Sequence, residues 1–361
     1  MVGLLSWVAS LYVPGRQYGR GQAPEAWKGH GMPLIQLVAT GGTIASRSTA
    51  AGRQAQATGA ELLSRSTIPE GAEVRVVDLA AKGSFAWQHS DLRTLIRSAR
   101  EQLAGEADGV VITHGTDTME ELAFLLDLVH ADPRPVVFTG AQRPFDHPAP
   151  DGPANLADAL AVASSPLARN RGVLLSFDGY VYLARGVTKV DTLSAHAFDA
   201  PGRGPALRVA DGAVSALTPA ARPPTLRFDH GTAELPKVDV VPLYVGADAA
   251  GLRAGIEAGA RGLVLAAFGA GNANPGIVEA VRDAAADGVP VLVCSRVPAG
   301  PVVPLYTGGG GADLLAAGAV FGADLNPWQG RILLTVALTL PDPLAALRVW
   351  LEADTTKEVR A

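Results

Sequence analysis

Several residue types and patterns are scarce in this 361-residue sequence. Cys294 is the single cysteine, which excludes an intrachain disulfide and a cysteine-rich metal site. No apolar run reaches the ~18 residues that a membrane-spanning helix needs, so we expect no membrane partner. Basic residues form no cluster, and 30 Lys and Arg residues face 35 Asp and Glu residues. This balance disfavours a nucleic-acid partner.

Familiar catalytic motifs are missing as well. The sequence has no G-x-S-x-G nucleophile elbow, no H-E-x-x-H zinc motif and no C-x-x-C pair. The 7 histidines are scattered along the chain without the spacing of metal ligands. The sequence therefore predicts no metal site.

The chain does contain many apolar strand-like runs. Hydrophobic residues make up 48% of it, which is enough for a sizeable core, and its length suggests about two domains. Several runs are nearly continuous in Val, Ile and Leu, as in strands of a parallel sheet that is buried on both faces. The runs are 34–39, 74–80, 109–115, 135–140, 172–177, 238–245, 262–269 and 289–295.

Helical periodicity lies between these runs. One apolar face repeats through Leu92, Leu95, Ile96, Ala99 and Leu103, and similar faces start at Met119, after Pro275 and at Leu344. Strands that alternate with helices predict an α/β protein. We expect a larger N-terminal domain with a mainly parallel sheet flanked by helices, and a smaller C-terminal α/β domain.

The alternation lapses in a stretch rich in proline and glycine, from about Ala200 to Pro236. We predict a hairpin and then a linker there, with an N-terminal domain at 33–215, a linker at 216–236 and a C-terminal domain at 237–361. Residues 1–32 are predicted to be a disordered extension. Residues 1–13 are apolar but lack the preceding basic residues of a secretory signal, which remains the alternative. A start of the native chain at Met32 is a further hypothesis.

Four polar turns are candidates for chemistry, because ligands of open parallel sheets bind outside the carboxyl ends of the strands. They are TGGTI (40–44), THGTDT (113–118), GVTK (186–189) and GAGNANP (269–275). Each has a simpler structural interpretation. The turn TGGTI lacks the third glycine of a dinucleotide-binding turn. In the turn THGTDT, Asp117 could cap a helix with Glu120 as its capping-box partner. His114 in the same turn fits a position in the core better than the role of a base.

The other two turns, GVTK and GAGNANP, also have simpler structural interpretations. Lys189 is a surface lysine by default, although burial beside Asp117 would let it serve as a base. Asn272 or Asn274 could cap the helix that starts at Pro275.

Taken together, these segments resemble the bacterial-type L-asparaginases, closest to the cytoplasmic type. The resemblance rests on ATGGTIAS (39–46), VITHGTDTMEE (111–121), TGAQRPFDHPAPDGPANL (139–156), GVTK (186–189) and SRVPAGP (295–301), in that order. It runs from about Pro33 to the C-terminus. It implies an amidohydrolase with two α/β domains that converts L-asparagine to L-aspartate and ammonia without a metal or an organic cofactor.

The resemblance also assigns roles to residues. Thr43 is the implied nucleophile, and Thr116, Asp117 and Lys189 form the second catalytic group. Ser84 is implied to bind the substrate carboxylate, Asp117 to hold the substrate ammonium, and Asn274 to reach the site across a subunit interface. Gly42 and Gly115 supply backbone contacts to the substrate. The implied assembly is a homotetramer or homodimer with shared sites, in the cytoplasm.

The sequence departs from the family pattern at three places. The family's lid tyrosine has no counterpart between Ser46 and Ser66, although the small, polar segment 46–58 suits a lid and Arg53 lies near the expected position. Phe85 replaces the glutamine that often follows the loop serine. The acidic residue expected after SRVP is absent, and Tyr306 is the nearest polar candidate. We therefore expect Asp117 to be the main remaining ligand of the ammonium.

Alternatives to an asparaginase remain open. Side activity on glutamine is compatible, because one methylene changes binding by only about 1–3 kcal/mol. The asparaginase-like subunit of a tRNA-dependent amidotransferase is disfavoured by the short N-terminal segment and the lack of basic patches. A catalytically weak or silent amino-acid-binding homologue of the same fold is the main alternative.

Overall fold

The structure is a computed structural model that describes residues 32–221, 225–228 and 234–355. The predicted extension, apart from Met32, and parts of the predicted linker lie outside the described residues. Within the described part of the chain, no helix is long and apolar enough to cross a membrane.

The N-terminal part contains strands and helices in alternation. They are β1 (Leu34–Gly41), β2 (Ser46–Thr49), β3 (Gly52–Ala55), α1 (Gly59–Ser64), β4 (Glu73–Lys82), α2 (His89–Ala104), β5 (Gly109–Thr113), α3 (Met119–Val129), β6 (Val136–Thr139), α4 (Gly152–Ala163), β7 (Val173–Phe177), β8 (Tyr180–Leu183), β9 (Thr188–Lys189), β10 (Phe198–Asp199), β11 (Leu207–Ala210) and β12 (Ala213–Ala216).

The C-terminal part follows the same plan on a smaller scale. Its elements are β13 (Val238–Pro242), α5 (Ala250–Glu257), β14 (Gly262–Ala267), α6 (Pro275–Ala286), β15 (Val291–Ser295), α7 (Gly311–Ala316), β16 (Val320–Phe321), α8 (Pro327–Ala337) and α9 (Pro343–Thr355). β13, β14, β15 and β16 form a parallel sheet in that order. The α/β fold class, with its large and small sheets, is confirmed.

The large sheet has the order β12-β11-β8-β7-β6-β5-β1-β4. From β4 to β7 all neighbours are parallel, whereas β8, β11 and β12 are antiparallel to theirs. All residues of β1, β5, β6 and β7 are buried, which explains their continuous apolar sequences. The hairpin predicted after Ala200 is β11–β12, and it extends the sheet on its antiparallel side.

Alternate residues of the central strands feed two cores on opposite faces of the sheet. Leu37 and Val111 join the core on the α4 face, while Val38 and Ile112 point to the face that α2 and α3 cover. The core on the α2 and α3 face continues into α8 and α9 of the C-terminal part. There, the rings of Trp350 in α9 and Phe124 in α3 are in contact, with centroids 5.7 Å apart. The two parts of the chain therefore share one hydrophobic core.

A buried glutamine from the C-terminal part also holds the segment before β9. The Gln329 side chain in α8 is fully buried. Its Nε2 donates to the carbonyl oxygens of Ala184 at 2.8 Å and Val187 at 3.1 Å, and its Oε1 accepts from the Gly186 N–H at 2.9 Å. Beside it, Asp324 pairs with the buried Arg185 guanidinium at 2.8 Å. The approach to β9 is thus fixed by side chains that lie more than 100 residues further along the chain.

The three hydrogen bonds of the buried Gln329 side chain lead to a prediction about stability. Replacing Gln329 with leucine keeps the side-chain volume but leaves one N–H and two carbonyl groups buried without their partner. We expect the free energy of unfolding to fall by about 2–4 kcal/mol. Urea unfolding monitored by circular dichroism measures this change. Gln54→Leu, the same chemical change at an exposed position of β3, should alter it by no more than about 0.5 kcal/mol. Equal urea midpoints for the Gln329 variant and the wild type would contradict a stabilising role of these hydrogen bonds.

Candidate active site

The candidate site forms where three neighbouring parallel strands end. β4, β1 and β5 lie side by side in the sheet, so the turns after Lys82, Gly41 and Thr113 meet at one edge. These turns carry Ser84 and Thr43, together with the Gly115-Thr116-Asp117 sequence. The position outside the carboxyl ends of the strands is the one expected for ligand binding in such sheets.

Two glycines let the turns approach one another. Gly42 has φ +80°, and a Cβ there would lie 2.3 Å from the backbone nitrogen of Gly115. A Cβ on Gly115 would lie 2.5 Å from the Ser84 Oγ. The Gly42 N–H also donates to the carbonyl oxygen of Lys82 at 3.0 Å. Side chains at either glycine would push these turns apart, so Gly42, Ser84 and Gly115 form the tightly packed floor of the site.

The most polar part of the site is a group of three side chains. Lys189 Nζ in β9 donates to Thr116 Oγ1 at 2.8 Å and to Asp117 Oδ1 at 2.9 Å. Thr116 is only 4% exposed, whereas the Asp117 side chain is 53% exposed. The lysine thus connects a buried hydroxyl with a carboxylate that remains open to a ligand. Sequence analysis predicted these three residues as one group, and the structure brings them together.

Ser84 lies below this group. Its side chain is buried in a short 3₁₀ turn, and its Oγ accepts a hydrogen bond from the Asp117 N–H at 3.3 Å. Its carbonyl oxygen accepts from the Thr118 hydroxyl at 3.3 Å. Ser84 therefore helps to hold the Thr116–Asp117 turn, and its role as a substrate ligand stays a prediction.

Thr43 begins the 3₁₀ turn that follows β1. It adjoins Gly42 and is half-buried. Its hydroxyl has no hydrogen-bond partner within the described residues, whereas that of Thr116 is engaged. The two threonines predicted as catalytic thus occupy different environments, one open and one bound.

His114 has the supporting place that sequence analysis favoured. Burial lowers its pKa to about 3, so the ring is neutral at physiological pH. Its Nδ1 lies 2.7 Å from Thr40 Oγ1, and its Nε2 lies 3.1 Å from Thr118 Oγ1. The imidazole therefore ties the ends of β1 and β5 together and does not face the Lys189 group as a base.

The capping interpretation of Asp117 is wrong. α3 begins after Thr118, whose side chain makes no capping hydrogen bond, and Asp117 pairs with Lys189 instead. Glu120, the capping-box candidate, turns to β9 and accepts a hydrogen bond from the Lys189 N–H at 2.6 Å. The sequence contains the S/T/D-x-x-E pattern of a capping box, but both carboxylates bind Lys189 in the folded chain instead.

Sequence analysis did not single out Gln142, which follows β6. Its Oε1 accepts a hydrogen bond from the Thr116 hydroxyl at 3.2 Å, while its Nε2 is buried and has no partner among the described residues. β6 is the parallel neighbour of β5. The same rule that selected the other turns, polar residues at the carboxyl ends of adjacent strands, would have found this residue.

Asn274 does not join the group. Its Oδ1 accepts a hydrogen bond from the Ile277 N–H at 3.1 Å, and its Nδ2 donates to the Ala247 carbonyl at 2.9 Å. Both ends of the amide are engaged within the C-terminal part. The alternative of a helix cap is therefore confirmed for Asn274, and any contact with a substrate stays a prediction.

The predicted lid segment contains an anchored hairpin, β2–β3. Ser48 N–H donates to Asp146 Oδ2 at 2.8 Å, and Arg47 pairs with Glu61 at 2.6 Å and stacks over Phe145. These contacts fix one strand of the hairpin, while Arg53 in the other strand is exposed.

Phe85 and Tyr306, which belong to the remaining departures from the family pattern, lie at the surface, whereas the single cysteine lies in the core. Phe85 is 80% exposed and Tyr306 is 59% exposed. Cys294 is buried in β15, and burial raises the pKa of its thiol far above the usual range, which agrees with packing and not with nucleophilic chemistry.

Comparison with known proteins agrees with this arrangement. The model of the N-terminal asparaginase domain matches residues 34–222, and that of the glutaminase/asparaginase C-terminal domain matches residues 237–351. The chain is 39% identical over 318 residues to a probable L-asparaginase of Deinococcus radiodurans, covering 86% of this chain and 94% of that protein.

Two further relatives carry a compartment in their names. A probable periplasmic L-asparaginase of Haemophilus influenzae is 34% identical, with 85% of this chain and 89% of that protein covered. The crystal structure of a probable cytoplasmic L-asparaginase from Campylobacter jejuni superposes with a TM-score of 0.79 at 31% identity, over 88% of this chain and 99% of that one. With both domain models matched and relatives aligned over most of their length, the chain belongs to the asparaginase family, whose named members are hydrolases of amide C–N bonds.

Proposed function

We propose that the protein hydrolyses L-asparagine to L-aspartate and ammonia, with Thr43 as the nucleophile. The observation that carries the proposal is the Lys189–Thr116–Asp117 group, at hydrogen-bond distances, beside the turn that bears Thr43. Membership of the asparaginase family supports the substrate. A threonine hydroxyl needs activation at neutral pH, and a lysine–threonine pair in contact with a carboxylate is the group on this edge of the sheet that can move a proton.

The proposed reaction has two halves. Thr43 Oγ attacks the side-chain amide carbon, its proton passes to the departing nitrogen, and the C–N bond breaks to release ammonia. The acyl-enzyme ester is then cleaved by water, which restores the Thr43 hydroxyl and yields aspartate. Thr116 and Lys189 act as the proton relay in both halves. Backbone N–H groups of the glycine-rich turns are the donors we assign to the oxyanion, each contributing roughly 2.7–4 kcal/mol.

Substrate recognition follows from the surroundings of the relay. We assign the substrate ammonium to the exposed Asp117 carboxylate, the substrate carboxylate to Ser84, and further contacts to the backbone of Gly42 and Gly115. Asn274 is assigned to a site shared with a second copy of the chain, in a homodimer or homotetramer. Side activity on glutamine is part of this proposal, since one additional methylene changes binding by only about 1–3 kcal/mol.

The setting of the protein completes the proposal. We propose that the enzyme uses no cofactor and is cytoplasmic. The lone cysteine supports a cytoplasmic location, although the relatives include proteins with cytoplasmic and with periplasmic names. We retain the predicted division into 33–215, 216–236 and 237–361, with residues 1–32 as an extension. A catalytically weak or silent amino-acid-binding homologue is the second candidate, because the lid tyrosine and the acidic residue expected after SRVP are both missing.

The first prediction separates these two candidates. Wild-type protein should release ammonia from millimolar asparagine, and Thr43→Ala and Thr116→Ala should each lower kcat by on the order of 10⁴-fold or more. Thr94→Ala removes a threonine hydroxyl on the surface of α2, where it bonds only to the Ser90 carbonyl, and should retain the wild-type rate. A wild type without ammonia release would leave the silent homologue. Full activity of the Thr43 variant would remove it as the nucleophile.

The second prediction tests the shared site through Asn274. Asn274→Asp keeps the oxygen that caps α6 but loses the amide donor to the Ala247 carbonyl, so stability should fall by about 1–3 kcal/mol, and KM is measured where the variant is fully folded. The KM for asparagine should rise about 10-fold. Asn326→Asp is the matched control, because Asn326 caps α8 by the same bond, to the Gln329 N–H at 2.8 Å, and its KM should equal that of the wild type.

Equal KM values for the two aspartate variants would leave Asn274 as a helix cap alone. Analytical ultracentrifugation of the wild type provides the complementary measurement. A monomer at assay concentrations would contradict a site shared between subunits.

A further inference from the structure

A second carboxylate lies directly behind the catalytic lysine. Glu120 in the first turn of α3 is only 6% exposed. Its Oε2 accepts a hydrogen bond from the Lys189 N–H at 2.6 Å, and the neighbouring Thr188 side chain also favours the ionised form. A buried carboxylate is costly unless hydrogen bonds compensate it, and here both compensating groups come from β9.

β9 needs such an anchor because it is short. It contains only Thr188 and Lys189 and pairs with the equally short β10. Its Lys189 backbone is bound to Glu120, while its Lys189 side chain reaches Thr116 and Asp117. All three partners belong to the turn before α3 or to the first turn of α3 itself. Glu120 therefore sets the backbone position from which the lysine extends to the two reacting side chains.

The charges around Glu120 distinguish it from its neighbour in the sequence. Lys189 on β9 favours the ionised form of Glu120, and Glu121 on α3 opposes it. Glu121 itself pairs with Arg331 of α8 at 2.7 Å. Burial is the largest influence and raises the pKa of Glu120 to about 7, so a change of one pH unit near neutrality changes its charge.

We propose that Glu120 is a positioning residue that holds Lys189 in register with Thr116 and Asp117, and that its ionised form is the one that supports turnover. This inference rests on the proposed function, because Lys189 is useful only if the Thr116–Asp117–Lys189 group is the proton relay. An ionised carboxylate accepts the Lys189 N–H in a charge-assisted hydrogen bond, about twice as strong as a neutral one. Protonation weakens this bond and loosens β9.

The direction of the pH effect follows. Because the folded-state pKa of Glu120 is about 7, the carboxyl is mostly protonated at pH 6 and mostly ionised at pH 8. Turnover should therefore rise through pH 7. The effect should appear mainly in kcat, since Glu120 bonds to the Lys189 N–H, and none of the hydrogen bonds among the described residues joins its carboxylate to Asp117, Ser84 or Thr43.

Kinetics of two neighbouring glutamate variants test this proposal. Glu120→Gln has the same size and retains an acceptor for the Lys189 N–H, but it carries no charge. We expect its kcat at pH 8 to fall about 10-fold, its KM to change less than 2-fold, and the rise of kcat through pH 7 to disappear. Glu120→Asp keeps the charge but shortens the side chain, so its kcat should also fall while the pH-dependent rise persists. Glu121→Gln, the matched control, should retain the rate at pH 8 and the rise, with the midpoint of the rise at a lower pH because the like charge that opposes ionisation of Glu120 is removed.

A second readout does not depend on activity. The sequence has five lysines: Lys28, Lys82, Lys189, Lys237 and Lys357. In full-length protein labelled with ¹⁵N-lysine, the Lys189 amide signal, assigned through Lys189→Arg, should shift with pH with a midpoint near 7, because its N–H bonds to the titrating carboxylate. The shift should be lost in Glu120→Gln and kept in Glu121→Gln.

The two readouts separate the two levels of inference. A titrating Lys189 amide in a protein that releases no ammonia would contradict the proposed function and leave the Glu120 contact in place. An amide signal that stays constant from pH 5 to 9, or a Glu120→Gln variant with the wild-type kcat and pH profile, would overturn the positioning role. If Glu120→Gln does not fold, the wild-type titration alone decides.

Discussion

The hydrogen bond from Lys189 Nζ to Thr116 Oγ1 joins residues 73 positions apart, and much of the N-terminal part is arranged so that this bond can form. Thr116 is fixed at the end of a central buried strand, where neighbouring strands leave little freedom. Lys189 comes from a short strand outside the main sheet. The fold must therefore bring a poorly anchored segment to a rigid one with a tolerance of a few tenths of an ångström, since the bond weakens quickly with distance.

The C-terminal part supplies much of this precision. Gln329 makes three hydrogen bonds to the backbone just before β9, and Asp324 pairs with Arg185 in the same segment. Glu120 then holds β9 itself from the side of α3. The lysine is consequently supported from two directions, and its position depends on both parts of the chain even though the residues that it contacts all belong to the N-terminal part.

The sequence predicted the central strands well because burial on both faces demands continuous apolar residues, as in β1 and β5. It also predicted which turns would meet, because parallel strands end at one edge. The antiparallel strand β8 and the short strands β9 and β16 carried no such signal. The partners of Glu120 could not be predicted, because a carboxylate three residues after a polar helix start fits a capping box equally well. Gln142 was missed for a different reason: it follows the carboxyl end of β6, and the four candidate turns did not include the one after this strand.

The two threonines show why a motif alone does not assign chemistry. Thr116 Oγ1 accepts a hydrogen bond from Lys189 Nζ and donates one to Gln142 Oε1, so its hydroxyl is oriented and buried. The Thr43 hydroxyl has no partner in the described residues and stands on a half-buried turn. A hydroxyl that attacks a substrate must be free to move toward it, whereas one that relays protons must be held against its donor. The geometry therefore favours Thr43 for attack and Thr116 for proton transfer. In the proposed mechanism, the Thr116–Lys189 pair activates Thr43 without a tyrosine from segment 46–58, and this raises the importance of every contact that holds Lys189 in place.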